Sequence, residues 1–110
     1  YQTSEGLVNQ VRAFVVSEMT GCFSMEECAK SLAISSRTLR RLLASQNLTF
    51  LKIVDQVRYE KASDYLLNSE LSIAQIAEQL NYADPSNFSR AFLTWTGKRP
   101  SKYRERGREF

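Results

Sequence analysis

The fold is decided by residues 72–97, which read SIAQIAEQLNYADPSNFSRAFLTWTG. Ser72 and Gln75 have the spacing of a capping box, and an apolar stripe at helical spacing follows them. Asp84 followed by Pro85 indicates a second helix start, because a capping carboxylate and a proline both suit the first turn. The stretch therefore predicts a short helix, a tight turn and a second, longer helix.

A second copy of this pattern lies earlier in the chain. Ser24 and Glu27 repeat the capping box at an offset of 48 residues, and one inserted residue in the turn then shifts the offset to 49. The larger offset aligns Arg41 with Arg90, so both copies carry an outward arginine on the second helix. Two helices joined by a tight turn, with outward bases on the second, are typical of helix-turn-helix units. One unit alone is weak evidence for nucleic-acid binding, and its repetition strengthens that evidence.

The remaining sequence completes an all-α architecture. Apolar residues at a 3.6-residue period predict a first helix over 5–19 and a long helix over 50–68, and Pro100 begins a short last helix through Tyr103. The chain has only four glycines and two prolines, which favours helices over a many-turned β fold. The sequence therefore predicts seven helices and no strand. A first helix-turn-helix subdomain is expected over 1–48, a linker helix over 49–69 and a second helix-turn-helix subdomain over 70–110.

Composition limits the chemistry. The 110 residues are 43% hydrophobic and 25% charged, as expected for a globular domain, and no apolar run approaches the ~18 residues of a membrane span. The absence of His excludes His-based triads and His metal ligands. Cys22 and Cys28 are too few for a four-thiolate zinc site, and Cys28 lies on an apolar stripe. We therefore expect no enzymatic activity, no cofactor and no metal.

Basic residues are concentrated in two segments. Residues 1–35 carry a net charge of −2, whereas residues 36–110 carry +5. Three arginines lie within residues 37–41, and six bases lie within residues 98–108. Clustered positive charge is typical of proteins that bind a polyanion such as nucleic acid. A solubilising surface is the alternative interpretation of charge alone.

The sequence resembles the DNA-binding domain of the AraC/XylS transcriptional regulators over residues 7–104. In the first unit and the long helix the matching residues are Leu32, Ser35, Arg37, Thr38, Leu39, Arg41, Leu42, Arg58, Ala62 and Leu66. A more specific block follows in the second unit: Ile73, Ile76, Ala77, Leu80, Tyr82, Ser86, Phe88, Arg90, Phe92, Gly97, Pro100, Tyr103 and Arg104. The chain departs from the family at Ala33 and Asn81, where the family prefers glycine in the turns.

The resemblance implies a bacterial transcription factor that binds double-stranded DNA, with two recognition helices in successive major grooves. A 19-residue linker helix extends about 28 Å, which is near the ~34 Å repeat of DNA. The family further implies a cytoplasmic, nucleoid-associated protein that acts as an activator touching RNA polymerase, with repression as the alternative. Tyr1 in place of Met suggests a fragment lacking the N-terminal effector or dimerisation domain.

Outward polar residues on the two second helices are the candidates for base contacts, since the matching family positions contact bases or backbone. They are Arg37, Arg40, Arg41, Ser86, Asn87, Ser89 and Arg90. Arginine can read guanine through a fork to O6 and N7, and asparagine can read adenine bidentately. Candidates for phosphate contacts are Ser35, Thr38, Thr49, Lys98 and Arg99, with Lys102 and Arg104 as further possibilities.

Two arginines have a structural interpretation beside the DNA-binding one. Arg58 falls close to the apolar stripe of the long helix, so we interpret it as a structural ion-pair partner. Arg90 is a base-contact candidate whose alternative is an ion pair that positions its helix.

Two other functions compete with DNA-dependent regulation. The chain could be the DNA-binding part of an alkylation-repair enzyme, but the methyl-acceptor module of such enzymes needs a zinc-bound thiolate cluster that two cysteines cannot supply. A helical protein-interaction module is the second alternative, and it requires an exposed apolar patch where this sequence places Arg and Ser.

Overall fold

The computed structural model describes residues 4–19 and 24–107, and within them it forms seven helices and no strand, as expected from the sequence. They are α1 (Ser4–Ser17), α2 (Met25–Ser31), α3 (Ser36–Ala44), α4 (Phe50–Asn68), α5 (Ile73–Gln79), α6 (Pro85–Thr96) and α7 (Pro100–Gly107). The last helix continues past Tyr103 to Gly107, and Cys22 lies outside the described residues. Within those two ranges, every helix is too short or too polar to cross a bilayer.

The chain divides into two compact units, Tyr1–Val57 and Arg58–Phe110, with the division inside α4. The core of the first unit is built from fully buried apolar side chains: Val11 and Val15 of α1, Cys28 of α2, Leu39 and Leu43 of α3, and Ile53 and Val57 of α4. Each set lies on one helical face, so burial of that face fixes the rotation of the helix about its axis. In α3 this rotation leaves the arginine-bearing side exposed.

An aromatic cluster around Phe92 forms much of the core of the second unit. The ring centroid of Phe92 lies 5.0 Å from that of Tyr103, 5.8 Å from that of Phe88, 6.1 Å from that of Trp95 and 6.3 Å from that of Tyr59. The contacts with Tyr103 and Trp95 are edge-to-face, with interplanar angles of 84° and 70°. These rings join α4, α6 and α7, and they hold the buried face of α6 inward.

The two tight turns have the same backbone conformation. Leu32 and Leu80 end the short helices with φ of −96° in both and ψ of 3° and 9°. The next residues, Ala33 and Asn81, are left-handed, with φ of 60° and 64°. Asparagine tolerates this conformation, whereas the Cβ of alanine makes it costly by about 1–2 kcal/mol. Ala33 and Asn81 thus both adopt the left-handed conformation that favours glycine.

Two arginines of the second unit stabilise the fold. The guanidinium carbon of Arg58 lies 4.6 Å from the ring centroid of Tyr82, so its structural role is a cation–π contact with a ring, where the sequence suggested an ion pair. Arg104 donates from Nε to the carbonyl oxygen of Leu66 at 2.9 Å, and from Nη2 to those of Tyr65 and Ser69 at 3.2 and 3.3 Å. Leu66 lies in the last turn of α4, where helix geometry leaves carbonyls without intrahelical partners. The carbonyl of Tyr65 also accepts from the backbone N–H of Ser69 at 3.2 Å and from Ser69 Oγ at 2.6 Å.

Candidate nucleic-acid interface

The first candidate surface is the exposed side of α3. Ser35 is the N-cap residue, and its Oγ accepts from the backbone N–H of Thr38 at 3.0 Å and donates to Thr38 Oγ1 at 2.9 Å. Arg37, Arg40 and Arg41 are all exposed on this helix. The structure therefore places the three arginines predicted for base contact on one exposed side, beside the two hydroxyls predicted for phosphate contact.

Arg40 differs from the other two arginines in its surroundings. Its Nη2 lies 3.8 Å from the sulfur of Met25 in α2, a weak donor–acceptor contact. Within the ranges that the structure describes, no side chain bonds the guanidinium of Arg37 or Arg41. Arg37 and Arg41 thus reach into solvent, whereas Arg40 is held against α2.

An apolar cleft of about 350 Å³ lies next to Arg40. Its lining includes Met25, Leu43, Leu48, Phe50 and Leu51, together with Arg40 and Thr49. Leu51 is 64% exposed, so the first unit does present some apolar surface close to its basic side. Thr49 Oγ1 accepts from the backbone N–H of Lys52 at 3.1 Å, so Thr49 caps the start of α4.

The second candidate surface is the exposed side of α6. The N-cap residue Asp84 accepts from the backbone N–H of Asn87 through Oδ1 at 2.9 Å, and Pro85 occupies the first turn. Burial of Phe88 and Phe92 turns the opposite side of the helix outward. On that side Ser86 and Arg90 are exposed, whereas Asn87 and Ser89 are half-buried. The four residues predicted for base contact therefore do not have equal access to a ligand.

Hydrogen bonds link three polar side chains along α6. Arg90 Nη2 donates to Asn87 Oδ1. Asn87 Nδ2 in turn donates to Asp84 Oδ2 over a distance of 3.5 Å. The spacing of these residues could have suggested this series of hydrogen bonds, because residues three apart on a helix are neighbours. These bonds support the alternative in which a partner positions Arg90. That partner is the amide of Asn87, however, and not the acidic residue that an ion pair requires.

Two basic clefts flank the outward side of α6. The first has a volume of about 430 Å³ and is lined by Pro85, Ser86, Ser89, Arg90 and Arg99. The second, of about 290 Å³, is lined by Leu93, Gly97, Lys98, Arg99, Lys102 and Arg106. Arg99 lines both, so it connects the polar face of α6 with the basic side of α7. Arg106 was missed in the sequence-based assignment, because the extent of α7 was underestimated.

The loop between α6 and α7 holds Lys98 and Arg99 in an ordered turn. Gly97 adopts a left-handed conformation with φ of 79° and ends α6. Thr96 Oγ1 donates to the carbonyl oxygen of Lys98 and accepts from its backbone N–H, both at 3.1 Å. Lys98, Arg99 and Lys102 are exposed, whereas the guanidinium of Arg104 is bound to the end of α4. Arg104 is thereby removed from the phosphate-contact candidates.

Cys28 lies at the centre of the first unit, with no exposed surface. Burial raises the pKa of its thiol to about 11, because desolvation disfavours the thiolate. The thiolate is the nucleophilic and metal-binding form, so Cys28 is suited to packing and poorly suited to methyl transfer or metal binding.

Comparison with known protein families gives one broad match. The family described as "Helix-turn-helix domain" matches residues 28–106, which include the end of α2, the whole of α3 to α6 and most of α7. The match therefore covers every candidate base-contact and phosphate-contact residue named above.

Similar proteins are regulators that are longer than this chain. The ornithine utilization regulator of Pseudomonas aeruginosa is 42% identical over 101 residues, which are 92% of this chain and 30% of that protein. The crystal structure of the transcriptional regulator CdpR from Pseudomonas aeruginosa is 33% identical with a TM-score of 0.82, and the match covers 91% of this chain and 32% of CdpR. The chain thus spans about a third of the length of these relatives.

A third similarity concerns the fold. A transcriptional regulator from Chromobacterium violaceum, described as AraC-type and DNA-binding, has a TM-score of 0.87 at 19% identity. The match covers 96% of this chain and 96% of that chain. The two chains therefore share one fold over nearly their whole lengths.

Proposed function

The chain belongs to the AraC/XylS family of bacterial helix-turn-helix transcriptional regulators, and from that premise we propose that it binds a specific site in double-stranded DNA, with α3 and α6 entering successive major grooves. The observation that carries the proposal is the repeated unit. Each copy has a serine-capped short helix, a left-handed turn residue and a following helix with an exposed arginine, Arg41 or Arg90. Such helices present side chains to base edges in the major groove.

Arginines of α3 are the proposed base-reading groups of the first unit. Arg37 and Arg41 reach into solvent, and Arg40 reaches the groove by leaving Met25, a weak sulfur contact. A guanidinium forks onto O6 and N7 of guanine, and a good bidentate contact contributes about 1–3 kcal/mol of discrimination against the wrong base. In the second unit we propose base contacts from the outward side of α6, at Ser86, Asn87, Ser89 and Arg90.

Phosphate contacts are proposed at the ends of the same helices. Ser35 and Thr38 lie at the start of α3, and Thr49 lies at the start of α4, where backbone N–H groups favour anions. Lys98 and Arg99 lie in the ordered loop after α6, and Arg99 lines both basic clefts. These contacts fix the position of the domain on the duplex, whereas the base contacts select the sequence.

We propose that α4 is the linker between the two subdomains, 1–48 and 70–110. Its 19 residues extend about 28 Å, near the ~34 Å repeat of the duplex. One chain can then read a site without two-fold symmetry, because the two recognition helices differ in sequence.

The proposed setting is that of a cytoplasmic regulator associated with the nucleoid. The similar proteins are transcriptional regulators about three times as long, so we propose that an effector or dimerisation domain accompanies this domain in the whole protein. Activation through contact with RNA polymerase is the proposed output. Catalysis has no part in this role.

The proposal is tested by fluorescence anisotropy with a duplex selected from random DNA. Affinity should fall linearly with log salt, with a slope near −0.9 per phosphate contacted. Arg99→Ala should make that slope less steep by about one unit, whereas Lys61→Ala on α4 should leave it unchanged. A flat salt titration of the wild-type domain, or selection without sequence enrichment, would refute the proposal.

A further inference from the structure

We propose that Asn87 is a positioning residue which holds the guanidinium of Arg90, and that Arg90 alone of the two reads a base. This inference rests on the proposed DNA-binding function, and it withdraws Asn87 from the base contacts proposed above, including the adenine contact that the sequence suggested. It makes guanine the expected base opposite the middle of α6.

The hydrogen bonds of Asn87 fix the direction of its amide group. Its Oδ1 accepts from Arg90 Nη2 on the C-terminal side, and its Nδ2 points to Asp84 Oδ2 on the N-terminal side, at 3.5 Å. The amide is therefore aligned along the helix between Asp84 and Arg90. Bidentate reading of adenine needs both amide groups directed together into the groove, at N6 and N7 of one base. The observed alignment is incompatible with that arrangement.

Asp84 determines this alignment through its role as a helix cap. Its Oδ1 accepts from the backbone N–H of Asn87 at 2.9 Å, so the carboxylate is fixed at the start of α6 with Oδ2 turned toward the Asn87 side chain. An amide donates through nitrogen and accepts through oxygen. With its nitrogen toward the Asp84 carboxylate, Asn87 turns its oxygen toward Arg90, which can only donate.

The exposure of Arg90 and Asn87 also favours Arg90 as the residue that reads a base. Arg90 is exposed and lines the cleft of about 430 Å³ together with Ser86, Ser89 and Arg99, whereas Asn87 is half-buried and lies outside that lining. Two guanidinium groups and two hydroxyls in one open cleft suit a guanine edge and a neighbouring phosphate, because both present acceptor oxygens.

A held guanidinium binds more selectively than a free one. An arginine with free rotamers loses conformational entropy when it docks on a base, and fixing it beforehand removes part of that loss. Release of Arg90 should therefore reduce discrimination at its base pair by about tenfold, while the other base pairs keep their preferences.

The experiment measures base preference at every position of the selected site, by competition among duplexes that carry single base-pair changes. Arg90→Ala should abolish a guanine preference at one base pair. Asn87→Ala should weaken preference at that same base pair by about tenfold, and the double variant should match Arg90→Ala alone. Asn87→Asp keeps an acceptor for Arg90 but has no amide donor for adenine, and its carboxylate faces that of Asp84. It should keep the guanine preference while the added negative charge lowers the affinity for all duplexes alike.

A matched control removes a comparable amide elsewhere. Asn68 Nδ2 donates to Asp64 Oδ1 at 2.9 Å on α4, and Asn68→Ala should leave all preferences unchanged. Loss of an adenine preference at a different base pair in Asn87→Ala, or an equal loss at all positions, would overturn the inference while leaving the proposed function intact. A wild-type domain without any base preference would overturn the proposed function and this inference with it.

Discussion

Arg104 offers the sharpest test of what stabilises the second unit. Its guanidinium donates to three carbonyl oxygens at the C-terminal end of α4, from Tyr65, Leu66 and Ser69, at 2.9–3.3 Å. The side chain is half-buried, and it connects α7 to a helix end 35–39 residues away in the chain. Arg104→Ala would remove a charged donor from these carbonyls, of which that of Tyr65 keeps its two bonds from Ser69. It would also remove a positive charge from the negative end of the helix dipole.

The expected loss follows from these contacts. A hydrogen bond to a charged group contributes about 1.5–3 kcal/mol net, and a cation at a helix C-terminus adds about 0.3–1 kcal/mol. Because the three bonds share one guanidinium and are not independent, we expect Arg104→Ala to lower the free energy of unfolding by about 3 kcal/mol in total. Arg104→Lys keeps the charge but loses the fork, so its loss should be about half as large.

Urea denaturation followed by Trp95 fluorescence measures this loss directly. Trp95 is the single tryptophan of the chain, and its ring lies 6.1 Å from Phe92 and 6.3 Å from Tyr59 in the second unit. The matched control is Arg106→Ala, an exposed arginine of the same helix, which should change stability by less than about 0.5 kcal/mol. A loss in Arg104→Ala as small as that of Arg106→Ala would refute the capping role.

Three further predictions concern the turn, the core and the first recognition helix. Ala33→Gly should raise the free energy of unfolding by about 0.5–1 kcal/mol because Ala33 has a φ of 60°, whereas Asn81→Gly should change it little; equal effects in chemical denaturation would contradict the assigned strain. Burial raises the pKa of Cys28 from 9.0 to about 11, so its stabilising effect should be complete below pH 9 and lost as the pH rises toward 11; a stability difference between wild type and Cys28→Ala that stays constant over this range would contradict it. Arg40→Ala and Arg41→Ala should weaken binding to the selected duplex more than binding to random DNA, and equal losses in anisotropy titrations would argue for phosphate contacts alone.

Local features of the fold could be predicted from the sequence because their causes are local. Each cap involves residues three apart, and the structure confirms Ser24, Ser72 and Asp84 as N-caps. Asparagine favours the left-handed conformation that ends a helix, and the φ of 60° at Asn47 agrees with this local preference. Periodicity likewise predicted α4 with its observed bounds, Phe50–Asn68.

Long-range contacts could not be predicted, because several partners satisfy the same side chain equally well on paper. Arg58 was expected beside a carboxylate, and it lies over the ring of Tyr82. Arg104 has the charge of a phosphate contact, and only the packing of α7 against the end of α4 directs it to backbone carbonyls. The candidate base contacts were identified by type and outward position, whereas the bond between Asn87 and Arg90 depends on rotamers that spacing leaves open.

The two recognition helices α3 and α6 are proposed to bind one duplex. Hydroxyl-radical footprinting of the selected site tests it directly, with wild type, Arg41→Ala and Arg90→Ala. We predict two protected segments about 10 base pairs apart on one face of the duplex, one weakened by Arg41→Ala and the other by Arg90→Ala. A single protected segment, or one segment weakened by both substitutions, would contradict the account.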